Sequence, residues 1–293
     1  MISVVSCNLS GTKQITDSKD YNGYLKVEMP DTTSKYYELW NSKIKPDSMQ
    51  LVSFGNVAAE YNRYFSLLFD VHMELGNYEE AEEYLHRIED ENNFGYLIRV
   101  AKWNDYKGNL DATIVYMEKA KKIAEMAEDK NLKIWSYTNL ADYYGHAGRI
   151  KDSYAHYIKS LKLEPHNAYA KKGIAWIVFS YERKPKEALR ILNSITENYS
   201  SPDYYLLKTE IAEYQNNKSE MLKNMDNYVK SVENPAYGNM YNSYNVSFYL
   251  DHTDLFDKAI FLAKEEVKNR KTPESYMLLA SSLYKNGAVE DAL

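Results

Sequence analysis

The stretch Ile134–Asn167, IWSYTNLADYYGHAGRIKDSYAHYIKSLKLEPHN, is 34 residues long and decides the fold. Its apolar residues recur three or four positions apart, which is the spacing of one face of an α-helix. They form two groups: Tyr137, Leu140, Ala141 and Tyr144, then Tyr157, Leu161 and Leu163. Gly148 lies between the groups and Pro165 follows the second, as expected for a turn and a helix end. The stretch therefore predicts two antiparallel helices joined by a tight turn.

The turn between two helices recurs along most of the chain. Its positions are Gly76, Gly108, Gly148, Glu182, Asn216, Asp254 and Gly287. Successive positions lie 32, 40, 34, 34, 38 and 33 residues apart. A period this regular indicates a repeat protein in which each unit is one helix-turn-helix pair. The two longest spacings indicate insertions at about residues 126–132 and 232–238.

This period and residue order resemble those of the tetratricopeptide repeat (TPR) family. The resemblance covers residues 62–293. It implies an all-α, TPR-type α-solenoid, which is a right-handed superhelix of about six to seven helix-turn-helix repeats with an incomplete last repeat. Residues 189–195, LRILNSI, and 20–25, DYNGYL, also look similar to segments of uncharacterised bacterial TPR surface lipoproteins.

Several units carry the small residue that lets the two helices of a TPR unit cross closely, while others depart from the family pattern. The small residues are Ala101, Ala141, Ala175 and Ala280. Phe69 occupies this position in the first unit, so we expect looser or shifted packing there. Thr113 stands where the family usually has alanine in the second helix, and Asn216 replaces the turn glycine of the fifth unit. Ser201 and Pro202 predict the start of that unit's first helix.

Charge and cysteine content exclude several function classes. The formal net charge is −6, from 36 basic and 42 acidic residues, whereas nucleic-acid binding needs a basic face. Cys7 is the only cysteine, so an intrachain disulfide and a cysteine zinc site are both excluded. No apolar run approaches the ~18 residues that a transmembrane helix needs.

The first 61 residues differ from the repeats. Residues 1–34 are rich in Ser, Thr, Asn, Asp, Gly and Lys, which predicts a flexible tether. Val4, Val5, Ser6 and Cys7 resemble a relaxed lipobox, the motif before a lipidated cysteine, and the alternative is a frayed N-terminus. Residues 35–61 predict N-terminal helices or a divergent repeat, with one helix running from about Ser48 through Tyr61. At the other end, we expect either that the natural protein continues past Leu293 or that the last helix frays.

No catalytic motif is present in the sequence. It contains no glycine-rich phosphate loop, no G-x-S-x-G elbow and no H-E-x-x-H pair. Residues 251–254, DHTD, have the composition of a metal cluster but coincide with a predicted turn, where Asp and Thr commonly cap helices. We therefore expect a protein that is not an enzyme and has no cofactor and no metal site.

The TPR resemblance implies that a partner binds on the concave side of the array. It places positions 2, 5, 6, 9, 12 and 13 of each first helix on that side, and we call this set of positions the groove face. Units two, three and four, counted from Phe94, Ile134 and Ala168, give the candidate partner-binding residues. They are Arg99, Lys102, Tyr106, Trp135, Asn139, Asp142, His146, Tyr169, Lys172 and Trp176, with Asp105 and Phe179 at further positions of the face.

Aromatic side chains next to Arg or Lys are typical of the energetic centre of an interface. Some TPR domains clamp a C-terminal carboxylate with Lys and Asn, and Asn139 and Lys172 occupy comparable places. The remaining residues of that clamp are not evident. The alternative for Trp135 and Trp176 is packing between helices.

We therefore expect a non-catalytic scaffold that binds a protein or peptide in the concave groove and is tethered to a bacterial envelope membrane through Cys7. The partner is not a nucleic acid, and contact with the membrane is only through the lipid anchor. One alternative is a cytoplasmic TPR adaptor or regulator. Another is the TPR module of a longer chain with an effector domain beyond Leu293. The sequence names neither the partner nor the oligomeric state.

Overall fold

The computed structural model describes residues 48–197 and 201–292, and the side chains from residue 61 onward. The predicted tether at residues 1–34, Cys7 and the segment before Ser48 lie outside the described residues. Two compact units divide the chain at residue 60. Of the first unit, only the beginning of one helix is described. The second unit, residues 61–293, contains the repeats and the whole groove face.

All regular structure in the described residues is helical, in thirteen α-helices and two short 3-10 helices. The first helices of successive units are α1 (Ser48–Leu75), α3 (Phe94–Tyr106), α5 (Lys130–His146), α7 (Ala168–Ser180), α9 (Pro202–Tyr214), α11 (Asn242–His252) and α13 (Pro273–Lys285). The second helices are α2 (Tyr78–Arg87), α4 (Leu110–Met126), α6 (Ile150–Leu163), α8 (Pro185–Thr196), α10 (Lys218–Val232) and α12 (Phe256–Asn269). The 3-10 helices are Pro235–Tyr237 and Glu290–Ala292.

The helices pack as a repeat array. From the second unit to the sixth, each first helix packs against the second helix of its own unit. Over most of the array the second helix then packs against the first helix of the next unit. This order confirms the predicted all-α helix-turn-helix architecture. It gives each amphipathic helix a neighbour that covers its apolar side, which an isolated pair could not do.

The turns within units follow the predicted positions closely. Gly76, Gly108, Gly148 and Gly287 have a positive φ, and so does Asn216 at 55°. Asparagine tolerates this left-handed conformation better than most residues, which explains how the fifth unit manages without glycine. In the fourth unit the left-handed residue is Arg183 at φ 57°, one residue after the predicted Glu182.

Helix α1 runs without interruption from Ser48 to Leu75. The predicted boundary near Tyr61 is therefore not a helix end, and the predicted N-terminal helix and the first helix of the first repeat form one element. The physical reason is that residues 48–75 contain no proline. A single interior glycine, Gly55, costs a helix only about 1 kcal/mol and does not break it.

The small residues expected at the helix crossings lie where two helices meet. Ala101, Ala141 and Ala175 are fully buried, and Ala280 is half-buried. In the first unit the larger Phe69 is also fully buried, within a cluster of apolar side chains from α1 to α3. In the middle of the array, alanine at the crossing therefore lets the two helices of a unit approach each other closely.

Two polar residues noted in the sequence, Thr113 and Ser201, have defined hydrogen-bond partners. The buried hydroxyl of Thr113 donates to the carbonyl oxygens of Ala101 and Asn109, each at 3.1 Å, and so links α4 to α3. Ser201 precedes α9 as predicted, with Pro202 at the first helical position. Its hydroxyl, however, bonds the Asp203 carboxylate instead of capping a backbone N–H, because an acceptor lies two residues away.

The turn of the first unit contacts the segment between the sixth and seventh units. The backbone N–H of Lys271 donates to the carbonyl oxygen of Leu75 at 3.3 Å. A Cβ placed on Gly76 would lie 2.8 Å from the carbonyl carbon of Lys271, and Gly76 has φ +82°. Glycine is thus required at this position by both its backbone conformation and its neighbour.

A pair of glycines on first helices tests how closely the units pack. A Cβ on Gly173 would lie 2.6 Å from two ring carbons of the buried Tyr157, whereas a Cβ on Gly145 would lie 3.5 Å from the Ser153 hydroxyl. We expect Gly173→Ala to lower the free energy of unfolding by about 1–3 kcal/mol through overpacking. Gly145→Ala is expected to raise it by up to about 1 kcal/mol, since alanine is the better helix former. Urea unfolding followed by circular dichroism measures both, and equal effects would contradict the packing described.

Candidate binding groove

The groove face is connected by side-chain contacts between successive first helices. Between α1 and α3 the contacts are the ion pairs Asp70–Arg99 and Glu74–Lys102. Between α3 and α5, Phe94 meets Trp135 edge-on with 5.6 Å between ring centres. Between α5 and α7, Tyr169 donates to Asp142 at 2.5 Å. Between α7 and α9 the contacts are the ion pair Lys172–Asp203 and the ring pair Phe179–Tyr214. Side-chain contacts therefore connect the first helices from α1 to α9, and the predicted residues on α3, α5 and α7 take part in them.

Arg99 is held by three acceptors on α1 and α3. It donates to the carbonyl oxygens of Ser66 at 3.0 Å and Gly95 at 2.8 Å, and to the Asp70 carboxylate at 2.5 Å. Its side chain is only 16% exposed. A planar guanidinium with fixed partners on two helices aligns those helices and has little freedom to move to a ligand.

The two lysines among the candidates are also paired. Lys102 lies 2.8 Å from Glu74, and Lys172 contacts Asp203, in each case across to a neighbouring first helix. Both pairs are partly exposed, so each contributes at most about 1 kcal/mol to stability. Their larger effect is on charge, because each predicted cation of the groove face is neutralised by the chain's own carboxylate.

Asp142 is the most enclosed carboxylate among the candidates. It accepts hydrogen bonds from the hydroxyls of Tyr157 on α6 and Tyr169 on α7. Burial raises the pKa of the Asp142 carboxyl, and the hydrogen bonds from the two tyrosines act in the opposite direction. Burial likewise raises the pKa of the Tyr157 hydroxyl, which therefore stays a donor. Asp142 joins three helices of units three and four.

The two tryptophans of the candidate set differ in their surroundings. Trp135 is half-buried against Phe94, and its indole nitrogen is buried without a hydrogen-bond partner. Trp176 is 46% exposed. Packing between helices, the alternative given for both tryptophans, therefore applies to Trp135. Trp176 instead presents a large aromatic surface on α7.

The other candidates also differ in whether the side chain is engaged within the fold or exposed. The Asn139 side-chain amide donates to the backbone oxygen of Trp135 at 2.8 Å, within its own helix. Tyr106 is 41% exposed and stacks on Tyr78 with 3.9 Å between ring centres. His146 is exposed at the end of α5 and interacts electrostatically with Asp105.

Residues of the fifth unit extend the groove face beyond the predicted set. Counted from Pro202, Glu210, Glu213 and Tyr214 occupy positions 9, 12 and 13, and all three are exposed. Tyr214 is 51% exposed and meets Phe179 edge-on at 5.5 Å. The prediction missed them because it applied the groove positions only to units two to four. The same count, continued by one unit, identifies them.

Four carboxylates at the groove positions of α3 to α9 form no ion pair within the part of the chain that the structure describes. They are Asp105, Asp142, Glu210 and Glu213. Burial raises the pKa of Asp105 and of Glu210, with opposing effects from His146 and Lys172 respectively. Burial therefore disfavours the ionised form of these two carboxyls, and the nearby bases offset that effect only in part.

Residues that could suggest a metal site have other roles. The Thr253 hydroxyl donates to the Tyr249 carbonyl oxygen at 2.9 Å and accepts from the Leu255 N–H at 3.1 Å, as a turn residue does. Within residues 48–197 and 201–292, no group of three or more His, Cys, Asp or Glu is placed to hold a metal ion. No described helix is both long and apolar enough to cross a bilayer.

The groove face contains one carboxylate that accepts side-chain hydrogen bonds, Asp142, and one for which the described residues show none, Asp105. Asp142→Ala removes the acceptor of the buried Tyr157 hydroxyl and is expected to cost about 1–3 kcal/mol of unfolding free energy. Asp105→Ala, on the preceding first helix and without a hydrogen bond, is expected to stay within about 0.5 kcal/mol of the wild type or to stabilise it. Adding Tyr157→Phe to Asp142→Ala should recover part of the loss. Thermal unfolding of the three variants tests this, and a loss in Asp105→Ala as large as in Asp142→Ala would refute it.

The chain is similar to solved bacterial structures. PilF of Pseudomonas aeruginosa matches with a TM-score of 0.50 and 12% identity, over 75% of this chain and 96% of that one. A tetratricopeptide repeat protein of Parabacteroides merdae matches with a TM-score of 0.45 and 13% identity, over 80% and 89%. A TPR protein of Thermus thermophilus matches with 0.45 and 13%, over 68% and 98%. Neither known protein families nor curated proteins give a match. The helix-turn-helix array and the similarity to PilF show a TPR-like fold, an all-α solenoid of repeats.

Proposed function

We propose that this chain is a non-catalytic scaffold that binds a protein or peptide segment on its groove face. A repeat array offers a long continuous surface built from side chains that the core does not need, and function in such folds resides in that surface. Here the surface is connected from α1 to α9 by contacts between first helices. A scaffold needs no catalytic group, cofactor or metal.

The observation that supports this proposal is the exposure of aromatic side chains at the meeting of units four and five. Trp176 and Tyr214 are 46% and 51% exposed on neighbouring first helices, with Phe179 between their positions. Tryptophan and tyrosine are the residues most enriched at the energetic centres of interfaces, because they bury a large area with few rotatable bonds. An aromatic cluster left open on a groove is therefore a suitable anchor site for a partner.

We further propose that the array is attached to a bacterial envelope membrane through a lipid on Cys7. Support comes from the sequence alone: Val4, Val5 and Ser6 precede Cys7, and a Ser-, Thr- and Asn-rich segment follows it. Such a segment would let the array reach a partner away from the membrane surface. A single acyl chain binds a bilayer only marginally, so stable attachment requires more than one chain on the modified cysteine.

Photo-crosslinking from defined positions tests the groove. We expect a benzophenone side chain introduced at Trp176 or Tyr214 to give discrete adducts with a partner protein in cells of the source organism. The same group at Phe261, which is 65% exposed on the second helix α12, serves as the control and should give none. Trp176→Ala should weaken recovery of the partner by about tenfold or more, as truncation of a central aromatic does. Adducts from Phe261 alone, or equally from all three positions, would refute a groove site.

Metabolic labelling tests the lipid anchor separately. We expect the full-length gene product to incorporate radiolabelled palmitate and to sediment with membranes. Cys7→Ala should abolish both the label and the sedimentation, while Cys7→Ser controls for the size of the side chain. A wild-type protein that carries no label would contradict the proposal, whatever the outcome at the groove.

A further inference from the structure

We infer that the segment bound on the groove face is cationic: an extended, lysine- or arginine-bearing stretch of a partner protein that lies along α5, α7 and α9 with its charges on the carboxylates and its side chains on the exposed rings. This inference rests on the proposed groove function and adds the chemistry of the partner to it.

The first argument is the charge left over on the groove face. Arg99, Lys102 and Lys172 are each paired with a carboxylate of a neighbouring first helix. Asp105, Glu210 and Glu213 form no ion pair within the described ranges, although His146 and Lys172 interact with the first two at longer range. The middle of the face is therefore negative, although its sequence contains several cations.

The cations of the face that lack a carboxylate partner in the described residues are not in the middle. Arg63 belongs to α1 and Lys285 to the end of α13, so they lie on the first and last of the first helices. Near the centre, His146 forms no ion pair within the described residues, and it interacts with Asp105. An anionic partner would thus have to break the Lys172–Asp203 ion pair to find a lysine or arginine at the groove positions of α5, α7 or α9.

The second argument is that carboxylates and exposed rings share one face of α9. Glu210 and Tyr214 are four residues apart, so their side chains lie on the same side of the helix. Lys172, which interacts with Glu210, is in turn four residues from Trp176 on α7. A lysine or arginine side chain that lies on the Tyr214 ring therefore has the Glu210 carboxylate one helical turn away. Contact of a cation with an aromatic face within about 6 Å is itself attractive.

The chain already contains this combination at other points. Lys107 Nζ lies 4.4 Å from the Trp103 ring centre while pairing with Glu82, and Arg149 lies 4.2 Å from the Tyr144 ring centre while pairing with Asp152. These internal examples show a cation using a ring and a carboxylate together. The partner would complete the same arrangement at Tyr214, whose ring lies one helical turn from the Glu210 carboxylate, and would bury its apolar atoms on the exposed Trp176.

The carboxylates also gain from a cationic partner energetically. Asp105 is half-buried, and neighbouring protein atoms partly desolvate the accessible Glu210 carboxyl; desolvation raises the pKa of both groups and so disfavours their ionised form. An ammonium or guanidinium group placed beside them offsets that loss of hydration. A neutral peptide gives no such compensation, and an acidic peptide would increase the penalty.

The first 47 residues do not supply a suitable occupant. Residues 1–47 contain six lysines and six Asp or Glu residues, so they carry no net positive charge. A second copy has a net charge of −6 and would be repelled on average. A segment of a different protein is therefore the occupant that the charges favour.

Synthetic peptides test the inference on the full chain. The probe is a capped peptide of repeating Lys-Ala-Tyr units, compared by isothermal titration calorimetry with matched peptides in which glutamine or glutamate replaces every lysine. We expect the lysine peptide to bind at least about tenfold more tightly than the glutamine peptide, to lose affinity as salt is raised, and the glutamate peptide not to bind. Equal affinity of the glutamine or glutamate peptide would overturn the inference.

Isosteric variants locate the charge. Glu210→Gln with Glu213→Gln should weaken the lysine peptide about tenfold, whereas the matched pair Glu79→Gln with Glu80→Gln on the second helix α2 should leave its affinity unchanged. Equal losses in the two double variants would show a net-charge effect and overturn the inference. Circular dichroism confirms that each variant is folded.

Crosslinking keeps failure of the inference distinct from failure of the proposed function. The benzophenone group at Trp176 is applied with all three peptides. Adducts without charge preference overturn only the cationic partner. Absence of adducts with every peptide and with cell partners overturns the groove itself, and the inference falls with it.

Discussion

The close crossing of the two helices in each unit is the constraint on which the rest of the structure depends. Ala101, Ala141 and Ala175 are fully buried at these crossings, and Gly173 leaves room for the ring of Tyr157 at the next one. Because the backbones approach this closely, large side chains are pushed into the spaces between units, where they bind one unit to the next. The same stacking places successive first helices side by side, so that their outward positions form one surface.

Charged residues on that surface have two roles: some align neighbouring first helices, and others are left to contact a ligand. Arg99, Lys102 and Lys172 hold neighbouring first helices together by pairing with Asp70, Glu74 and Asp203. The pairs are individually weak, yet they remove the positive charge from the middle of the face. What remains for a ligand is a set of carboxylates and rings. The polarity of the groove is thus a by-product of how the units are aligned.

Periodicity in the sequence is sufficient to predict the helices, the turns and the array, because these depend on local patterns of apolar residues, Gly and Asn. It located Asn216 at a left-handed turn and missed Arg183 by one residue, since the longer turn there shifts the count. It also split α1 near Tyr61, where nothing breaks the helix. For the groove, periodicity identified the positions but not the partners. Whether a lysine is free or paired depends on the neighbouring helix, which the spacing within one unit does not reveal.

The unit that matches the family pattern best is therefore not the one with the most accessible groove residues. In residues 134–167, Trp135 packs on Phe94, Asn139 bonds its own helix, and Asp142 accepts from two tyrosines. Its groove positions contribute to the stacking of units two, three and four. The fifth unit, which lacks the turn glycine, leaves Glu210, Glu213 and Tyr214 exposed beside Trp176. A side chain that already serves the fold has less to offer a ligand, so the search for a partner belongs at units four and five.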